Sequence, residues 1–143
     1  MSAKPKDKGV YRLLDANLNR CREGLRVLED TARFVREDSR FFRAFRRERH
    51  KLDILTRKLY PELLASRASR GDEGRTISEG GRPDVNALVS ANFRRCEESL
   101  RVLEEYGKLF SARAGSEFKE MRFAAYRLEK DAARKWGLKQ AWK

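Results

Sequence analysis

A 14-residue pattern occurs twice in this chain, and this repeat constrains the possible folds more than any other feature of the sequence. The pattern Ala-Asn-x-x-Arg-Cys-x-Glu-x-Leu-Arg-Val-Leu-Glu begins at Ala16 and again at Ala91. Between residues 14–35 and 89–110, ten of the 22 aligned positions are identical, far more than chance would give. We infer an internal duplication, in which both halves adopt the same local structure.

Apolar side chains in each copy recur at alternating steps of four and three, which is typical of the buried face of a helix in a bundle. In the first copy they are Leu14, Leu18, Cys21, Leu25, Leu28, Ala32 and Val35. In the second copy they are Val89, Phe93, Cys96, Leu100, Leu103, Gly107 and Phe110. Apolar and polar residues do not alternate here as they do in a β-strand, so two equivalent long helices are predicted.

Each long helix is followed by a second amphipathic segment, so each copy predicts a helical hairpin. In the first half, Asp38 or Ser39 is available as the N-cap and Pro61 is expected to end the helix. In the second half, Gly115 and Ser116 mark the break before the helix, and Gly137 is the expected C-terminal cap.

The sequence therefore predicts an all-α protein with a single domain over residues 1–143. The expected architecture is a four-helix bundle, in which the hairpins at about 11–60 and 85–137 are related by an approximate two-fold axis. The segment 61–84 is rich in Gly, Ser, Arg and acidic residues, and it is predicted to be a long central loop.

Net charge, cysteine spacing and hydropathy limit the ligands and the cellular location that we expect for this chain. The 34 Lys and Arg exceed the 22 Asp and Glu, and the formal charge of +12 predicts attraction to polyanions or phosphorylated ligands. Cys21 and Cys96 lie far apart without companion histidines, which indicates reduced core thiols. Since no apolar run suits a bilayer or a signal peptide, we expect a cytoplasmic protein without a membrane partner.

The polar identities in the repeat need an explanation beyond packing. On a helical wheel, Asn17 lies next to the apolar seam. Arg20 lies at a larger angle from the seam, and apolar residues are its neighbours there. A guanidinium in such surroundings needs a hydrogen-bonded acid or a bound anion. The five repeated pairs are Asn17 and Asn92, Arg20 and Arg95, Glu23 and Glu98, Arg26 and Arg101, and Glu29 and Glu104.

Two compatible interpretations remain open for these pairs. In the first, Arg20 pairs with Glu104 and Arg95 with Glu29, and this symmetric ion network fixes the register of the helices. In the second, the repeated asparagines, arginines and glutamates surround a small polar cavity for a phosphorylated ligand.

A basic stripe supports a different kind of function. Its members are Arg40, Arg43, Arg47 and Lys51. Such a stripe is usually a solvated face and less often a nucleic-acid track, so a basic helical nucleic-acid-binding module is the alternative hypothesis. Few aromatic residues lie between the basic positions, which argues against a reader that stacks bases.

The segments "LLDANLNRCREGLRVLEDTARF" and "VSANFRRCEESLRVLEEYGKLF" together resemble the doubled signature of an all-helical domain. That domain occurs at the N-terminus of some bacterial thiamine-phosphate synthases and also alone. The family includes a second type of phosphomethylpyrimidine kinase, which converts hydroxymethylpyrimidine phosphate to the diphosphate with ATP. The resemblance runs from Leu13 to Leu128, and it includes "RERH" and "MRFAAYRLEK". It departs in the loop, where Ala68 and Glu73 replace an expected Asp and Val.

The resemblance implies a kinase of thiamine biosynthesis with Mg²⁺ and with ATP as co-substrate. Arginine forks suit phosphoryl transfer, which needs positioning and charge neutralisation. We expect the loop to close over the nucleotide. The candidate phosphate clamps are Arg20, Arg95 and Arg49. The candidate substrate-binding residues are Asn17, Asn92, Glu23, Arg67 and Gly74, and the candidate magnesium ligands are Asp72 and Glu98.

Two further possibilities concern protein partners. The altered loop favours a non-catalytic domain that partners a thiamine-phosphate synthase. A second apolar strip on the long helices could bury against neighbouring helices or against a second subunit in a homodimer. Its members are Leu13, Val27 and Phe34, echoed by Leu88, Val102 and Leu109.

Overall fold

The chain folds into four long helices packed as a bundle, as the sequence predicts. The computed structural model describes residues 7–68 and 71–139, and in these two ranges it contains no strand. The helices are α1 (Lys8–Asp30), α2 (Ser39–Ser66), α3 (Val85–Gly107) and α4 (Ala112–Trp136). A π-helical turn, Thr31–Val35, continues α1, and a short 3-10 helix, Glu73–Thr76, lies between α2 and α3. Over the described residues, no helix is both long enough and apolar enough to span a bilayer.

The two hairpins meet through their first helices. α1 packs against α2 and α3, and α3 also packs against α4. Tyr11 at the start of α1 contacts Phe110 just beyond the end of α3, with ring centroids 5.9 Å apart, so α1 and α3 are antiparallel. At their crossing the Cys96 thiol lies 3.6 Å from the carbonyl oxygen of Cys21, its equivalent in the other copy. Equivalent residues that meet at a crossing indicate an approximate two-fold axis there.

The predicted apolar seams form the core. Nearly all of their side chains are buried, including both cysteines, which are free thiols. The contact with Cys21 and burial raise the pKa of the Cys96 thiol. The prediction was wrong for Val35, which is 59% exposed, because it lies at the end of the π-helical turn, where the angular spacing of the side chains differs from that of an α-helix.

Gly24 lies where α1 and α3 cross. A Cβ atom at this position would lie 2.8 Å from Cys96 Sγ and 3.3 Å from the carbonyl oxygen of Asn92. We expect Gly24→Ala to lower the free energy of unfolding by about 1–3 kcal/mol, because the helices must separate to accept the methyl group. Urea denaturation measures this, and a double-mutant cycle with Cys96→Ala should show partial recovery. Equal stability of Gly24→Ala and the wild type would contradict the close crossing.

Two predicted helix boundaries were wrong. α2 begins as expected, with the Asp38 carboxylate accepting a hydrogen bond of 3.2 Å from the Phe41 N–H. It continues through Pro61, however, and ends at Ser66, so the predicted loop 61–84 begins six residues later. Leu63 and Ser66 are buried in this last turn, and their burial offsets the hydrogen bond that proline removes.

The other wrong boundary is at Gly115. α4 begins at Ala112 with Ser111 as its N-cap, so Gly115 lies inside the helix. A Cβ atom on Gly115 would lie 2.9 Å from the Lys108 side chain, and glycine therefore allows α4 to approach the end of α3. Gly137 has a φ of 68° and ends α4 in the left-handed conformation, which confirms its prediction as the cap.

Candidate functional site

A cleft between α1, α3 and the central loop brings together side chains from both copies of the repeat. Its volume is about 600 Å³. Five of the predicted site residues line it. They are Asn17, Arg20, Gly74, Arg95 and Glu98. The other lining residues are Ile77, Glu79 and Arg82 of the loop and Ala91, Arg94, Ser99 and Val102 of α3.

The cleft is rich in guanidinium groups, since four arginines and two glutamates line it. Arg20 is exposed, and it makes no hydrogen bond or ion pair with any residue in the ranges 7–68 and 71–139. Arg95 is about one-third exposed, and its Nη1 lies 3.2 Å from Oε1 of Glu79. Arginines that are accessible and close to one another provide the forked donors that phosphate groups prefer.

The repeated asparagines have the same local role in both copies. Asn17 Nδ2 donates a hydrogen bond of 2.9 Å to the carbonyl oxygen of Leu13, and Asn92 Nδ2 donates an equal bond to that of Leu88. Each asparagine therefore binds the carbonyl four residues earlier in its helix. Asn17 is buried and lines the cleft, whereas Asn92 is partly buried and lies outside the cleft lining.

The predicted ion pairs of Arg20 with Glu104 and of Arg95 with Glu29 were wrong, because Glu29 and Glu104 each pair within their own hairpin. Glu29 accepts two hydrogen bonds from Arg49 of α2, at 2.7 and 3.2 Å. Glu104 pairs with Arg122 of α4, whose Nη2 and Nε lie 2.8 and 2.9 Å from Oε1 of Glu104. The hydrogen bond to Glu29 raises the pKa of Arg49. The structure therefore ties the Arg49 guanidinium to Glu29 and does not bring it to the cleft.

Arg67 and Asp72 have structural partners and are not among the residues that line the cleft. Arg67 binds the Asp15 carboxylate with two hydrogen bonds of 2.8 and 3.0 Å, which holds the start of the loop against α1. The Asp72 carboxylate accepts a 2.9 Å hydrogen bond from the N–H of Gly74 and so caps the 3-10 helix. Glu23 is exposed on α1 and also lies outside the cleft lining.

The described ranges contain no group of three or more His, Cys, Asp or Glu residues that could hold a metal ion. Glu98 and Glu79 are the carboxylates in the cleft lining, and Asp72 is not beside them there. A magnesium ion at this cleft would therefore need oxygen ligands from a bound phosphate and from water as well as from protein.

Several residues that line the cleft were not predicted from the sequence. Arg94 and Ser99 lie in the second copy where the first has Asn19 and Gly24, so a search for identical polar positions passes over them. The loop residues, among them Glu79, belong to no periodic pattern. The sequence feature that could have indicated these loop residues is the large number of charged residues in the segment that joins the repeats.

Two predicted surfaces lie outside the cleft lining. The basic stripe Arg40, Arg43, Arg47 and Lys51 is exposed along α2, and its use for nucleic acid stays a prediction. In the second apolar strip, Val27, Phe34 and Leu109 are 37%, 65% and 47% exposed. The four helices of one chain therefore leave much of this strip uncovered, and a homodimer also stays a prediction.

Comparison with known proteins assigns the chain to a family. Residues 12–131, which include every residue of the cleft lining, match the ThiD2 family. The chain belongs to the ThiD2 family. No solved structure matches it significantly.

The relatives of this ThiD2 domain are longer proteins. It is 43% identical over 123 residues to "Thiamine-phosphate synthase" of Nostoc sp. (strain PCC 7120 / SAG 25.82 / UTEX 2576), an alignment that covers 84% of this chain and 34% of the relative. The chain is also 43% identical to the Thermosynechococcus vestitus protein of that name, again over 84% of the chain and 34% of the relative. The chain is 37% identical to the Rhodopirellula baltica protein of that name, and this alignment covers 82% of the chain and 32% of the relative. The chain thus spans about a third of the length of these curated relatives.

Proposed function

We propose that this chain is a kinase of thiamine biosynthesis, which phosphorylates hydroxymethylpyrimidine phosphate to the diphosphate with ATP. The observation that carries the proposal is that Arg20 of one copy and Arg95 of the other line one cleft, beside Glu98. The resemblance of the repeat to phosphomethylpyrimidine kinases supports it. The thiamine-phosphate synthases among the relatives support a place in the same pathway.

The proposed reaction suits a site built from arginines. An oxygen of the acceptor phosphate attacks the γ-phosphorus of ATP, a new P–O bond forms, and the bond to the β–γ bridging oxygen breaks, so that ADP leaves with the electron pair. Because the acceptor is already an ionised phosphate, no strong general base is required. Arg20 and Arg95 hold phosphate oxygens and reduce the repulsion between the two anionic reactants.

The carboxylates of the cleft suit a magnesium ion held partly by substrate. Proteins commonly bind Mg²⁺ through one or two carboxylates plus substrate phosphates and water. Glu98 and Glu79 are the carboxylates that would hold it here. When bound, Mg²⁺ supplies positive charge to the phosphate oxygens. Asp72 and Arg49 have structural partners, Gly74 and Glu29, and we propose no direct contact with substrate for them.

Replacing Arg20 or Arg95 by Ala should lower kcat/KM by about 100-fold, because each substitution removes a cation that neutralises transferring phosphate. Diphosphate formation from ATP, Mg²⁺ and hydroxymethylpyrimidine phosphate, followed by chromatography, measures the rate. Circular dichroism should show an unchanged helical fold. The matched control is Arg26→Ala, since Arg26 is repeated and exposed on the same helix but pairs with Asp30 outside the cleft lining. Equal losses in all three variants would contradict the assignment.

A non-catalytic role is the second candidate. The relatives carry the name of the synthase, and this chain matches about a third of their length, which suits a domain that partners such an enzyme. Wild-type protein that forms no diphosphate but binds a purified thiamine-phosphate synthase would support this role. Binding of an oligonucleotide that weakens with salt, without turnover, would instead support the nucleic-acid-binding alternative.

A further inference from the structure

Glu79 of the central loop lies against an arginine that the proposed function assigns to phosphate. Arg95 Nη1 lies 3.2 Å from Oε1 and 3.4 Å from Oε2 of the same carboxylate. Both side chains line the cleft. A carboxylate and a phosphate present similar anionic oxygens to a guanidinium, so Glu79 holds Arg95 as a ligand phosphate would.

The exposure of the Glu79–Arg95 ion pair allows a ligand to replace Glu79. The Glu79 side chain is 65% exposed, and exposed ion pairs contribute little to stability because water and salt screen them. The pairs made by Arg49 and Arg122 differ, because their side chains are only 12% and 11% exposed. A phosphate group with more charge than one carboxylate can therefore displace Glu79 from Arg95 at little cost.

The loop has fixed ends on either side of Glu79. The Arg67–Asp15 pair holds the loop at its start. At its end, the Asp84 carboxylate accepts a 2.7 Å hydrogen bond from the Ala87 N–H and caps α3. The residue after Glu79 is Gly80, with a φ of 79°, and a Cβ atom there would meet nothing within 4 Å. Glu79 thus lies in an open part of a loop whose two ends stay attached to helices.

We propose that Glu79 is an internal anion, which occupies the place of a ligand phosphate on Arg95 and leaves it when a polyphosphate binds. The ligand class is a diphosphate or triphosphate chain, since four arginines in one cleft exceed what a single phosphate needs. This inference rests on the proposed function only in taking the cleft as a phosphate site. Glu79 then sets the affinity of the site, because every binding event must break its ion pair.

Titration calorimetry with inorganic pyrophosphate, at low salt and without Mg²⁺, tests the proposal on the full chain. We expect Glu79→Gln to bind about three- to fivefold more tightly than the wild type, the factor that corresponds to an exposed ion pair. Glu73→Gln is the matched control. It removes the same charge from the same loop at a residue outside the cleft lining, and its affinity should stay within about 1.5-fold. Adding Arg95→Ala to Glu79→Gln should abolish the gain.

Each other result overturns the proposal. Glu79→Gln that binds no more tightly than the wild type means that Glu79 does not compete with the ligand, and the proposed kinase would survive this. Equal gains in Glu79→Gln and Glu73→Gln mean that net charge alone is responsible. If neither the wild type nor Glu79→Gln binds pyrophosphate, both this inference and the proposed phosphate site are wrong.

Discussion

Replacing Arg49 by Met should lower the free energy of unfolding by about 3–5 kcal/mol, because the substitution leaves the Glu29 carboxylate buried without its partner. The Glu29 side chain is 5% exposed, and Arg49 supplies two hydrogen bonds to it. Urea denaturation followed by circular dichroism measures the loss as a lower midpoint at an unchanged slope.

Two further variants separate this role from a direct role in phosphate binding. Glu29→Leu combined with Arg49→Met should recover most of the stability, since two apolar residues of suitable size replace a buried ion pair well. Arg47→Met, at an exposed position of the same helix, should change stability by about 0.5 kcal/mol or less. If Arg49→Met is fully stable but no longer binds pyrophosphate, Arg49 is the phosphate clamp that the sequence predicted.

Glu97→Gln should stabilise the protein in alkaline solution and have little effect in acid. Burial and a hydrogen bond with Glu129 raise the pKa of Glu97 to about 9, from an ordinary value of 4.5. Because the folded state holds the proton more tightly, unfolding becomes easier as the pH rises from 4.5 through about 9. Glutamine carries no charge at any pH, and the expected gain at pH 8.5 is about 2–4 kcal/mol.

Urea denaturation of both proteins at pH 4.5 and 8.5 measures this difference. Glu98→Gln is the matched control, because Glu98 is the next residue of α3 but is exposed. The Glu98 charge raises the pKa of Glu97 less than burial and Glu129 do, so this variant should show nearly the same pH dependence as the wild type. A Glu97→Gln variant whose stability differs from the wild type by the same amount at both pH values would contradict the raised pKa of Glu97 in the folded state.

The two hairpins have diverged at this position. In the first copy the equivalent of Glu97 is Arg22, whose Nε lies 2.7 Å from the Asp53 carboxylate of α2. There the first and second helices of the hairpin are joined by opposite charges. In the second copy two carboxyl groups meet instead, so the duplicated scaffold keeps the contact between helices while its chemistry changes.

The repeat and its periodicity were enough to predict the four helices, because a buried face every 3.6 residues is a local property of the chain. They also identified four residues of the cleft, since polar side chains kept in both copies beside a core are few, whereas Gly74 came from the family resemblance. The partners of Glu29 and Glu104 were not predictable in this way. A helical wheel gives the direction of a side chain, but it does not say which neighbouring helix lies on that side.

The end of α2 at Ser66 shows a second limit. Local propensity places a boundary at Pro61, but burial of Leu63 and Ser66 depends on packing that no local rule describes. The same holds for Glu79, whose position depends on where the Arg67–Asp15 pair and the Asp84 cap attach the loop. The Arg67–Asp15 pair joins residues 52 positions apart, which no local pattern in the sequence relates.

The connecting loop also makes the duplicated molecule unequal. A loop between α2 and α3 can lie over only one of the two surfaces that the two-fold axis would make identical, and here it lies beside Arg94 and Ser99. Their counterparts, Asn19 and Gly24, have no such neighbour in the cleft lining. Both copies contribute to the cleft lining, but α3 supplies six of its residues and α1 only two. A single stretch of backbone thus makes two duplicated helices unequal in their surroundings.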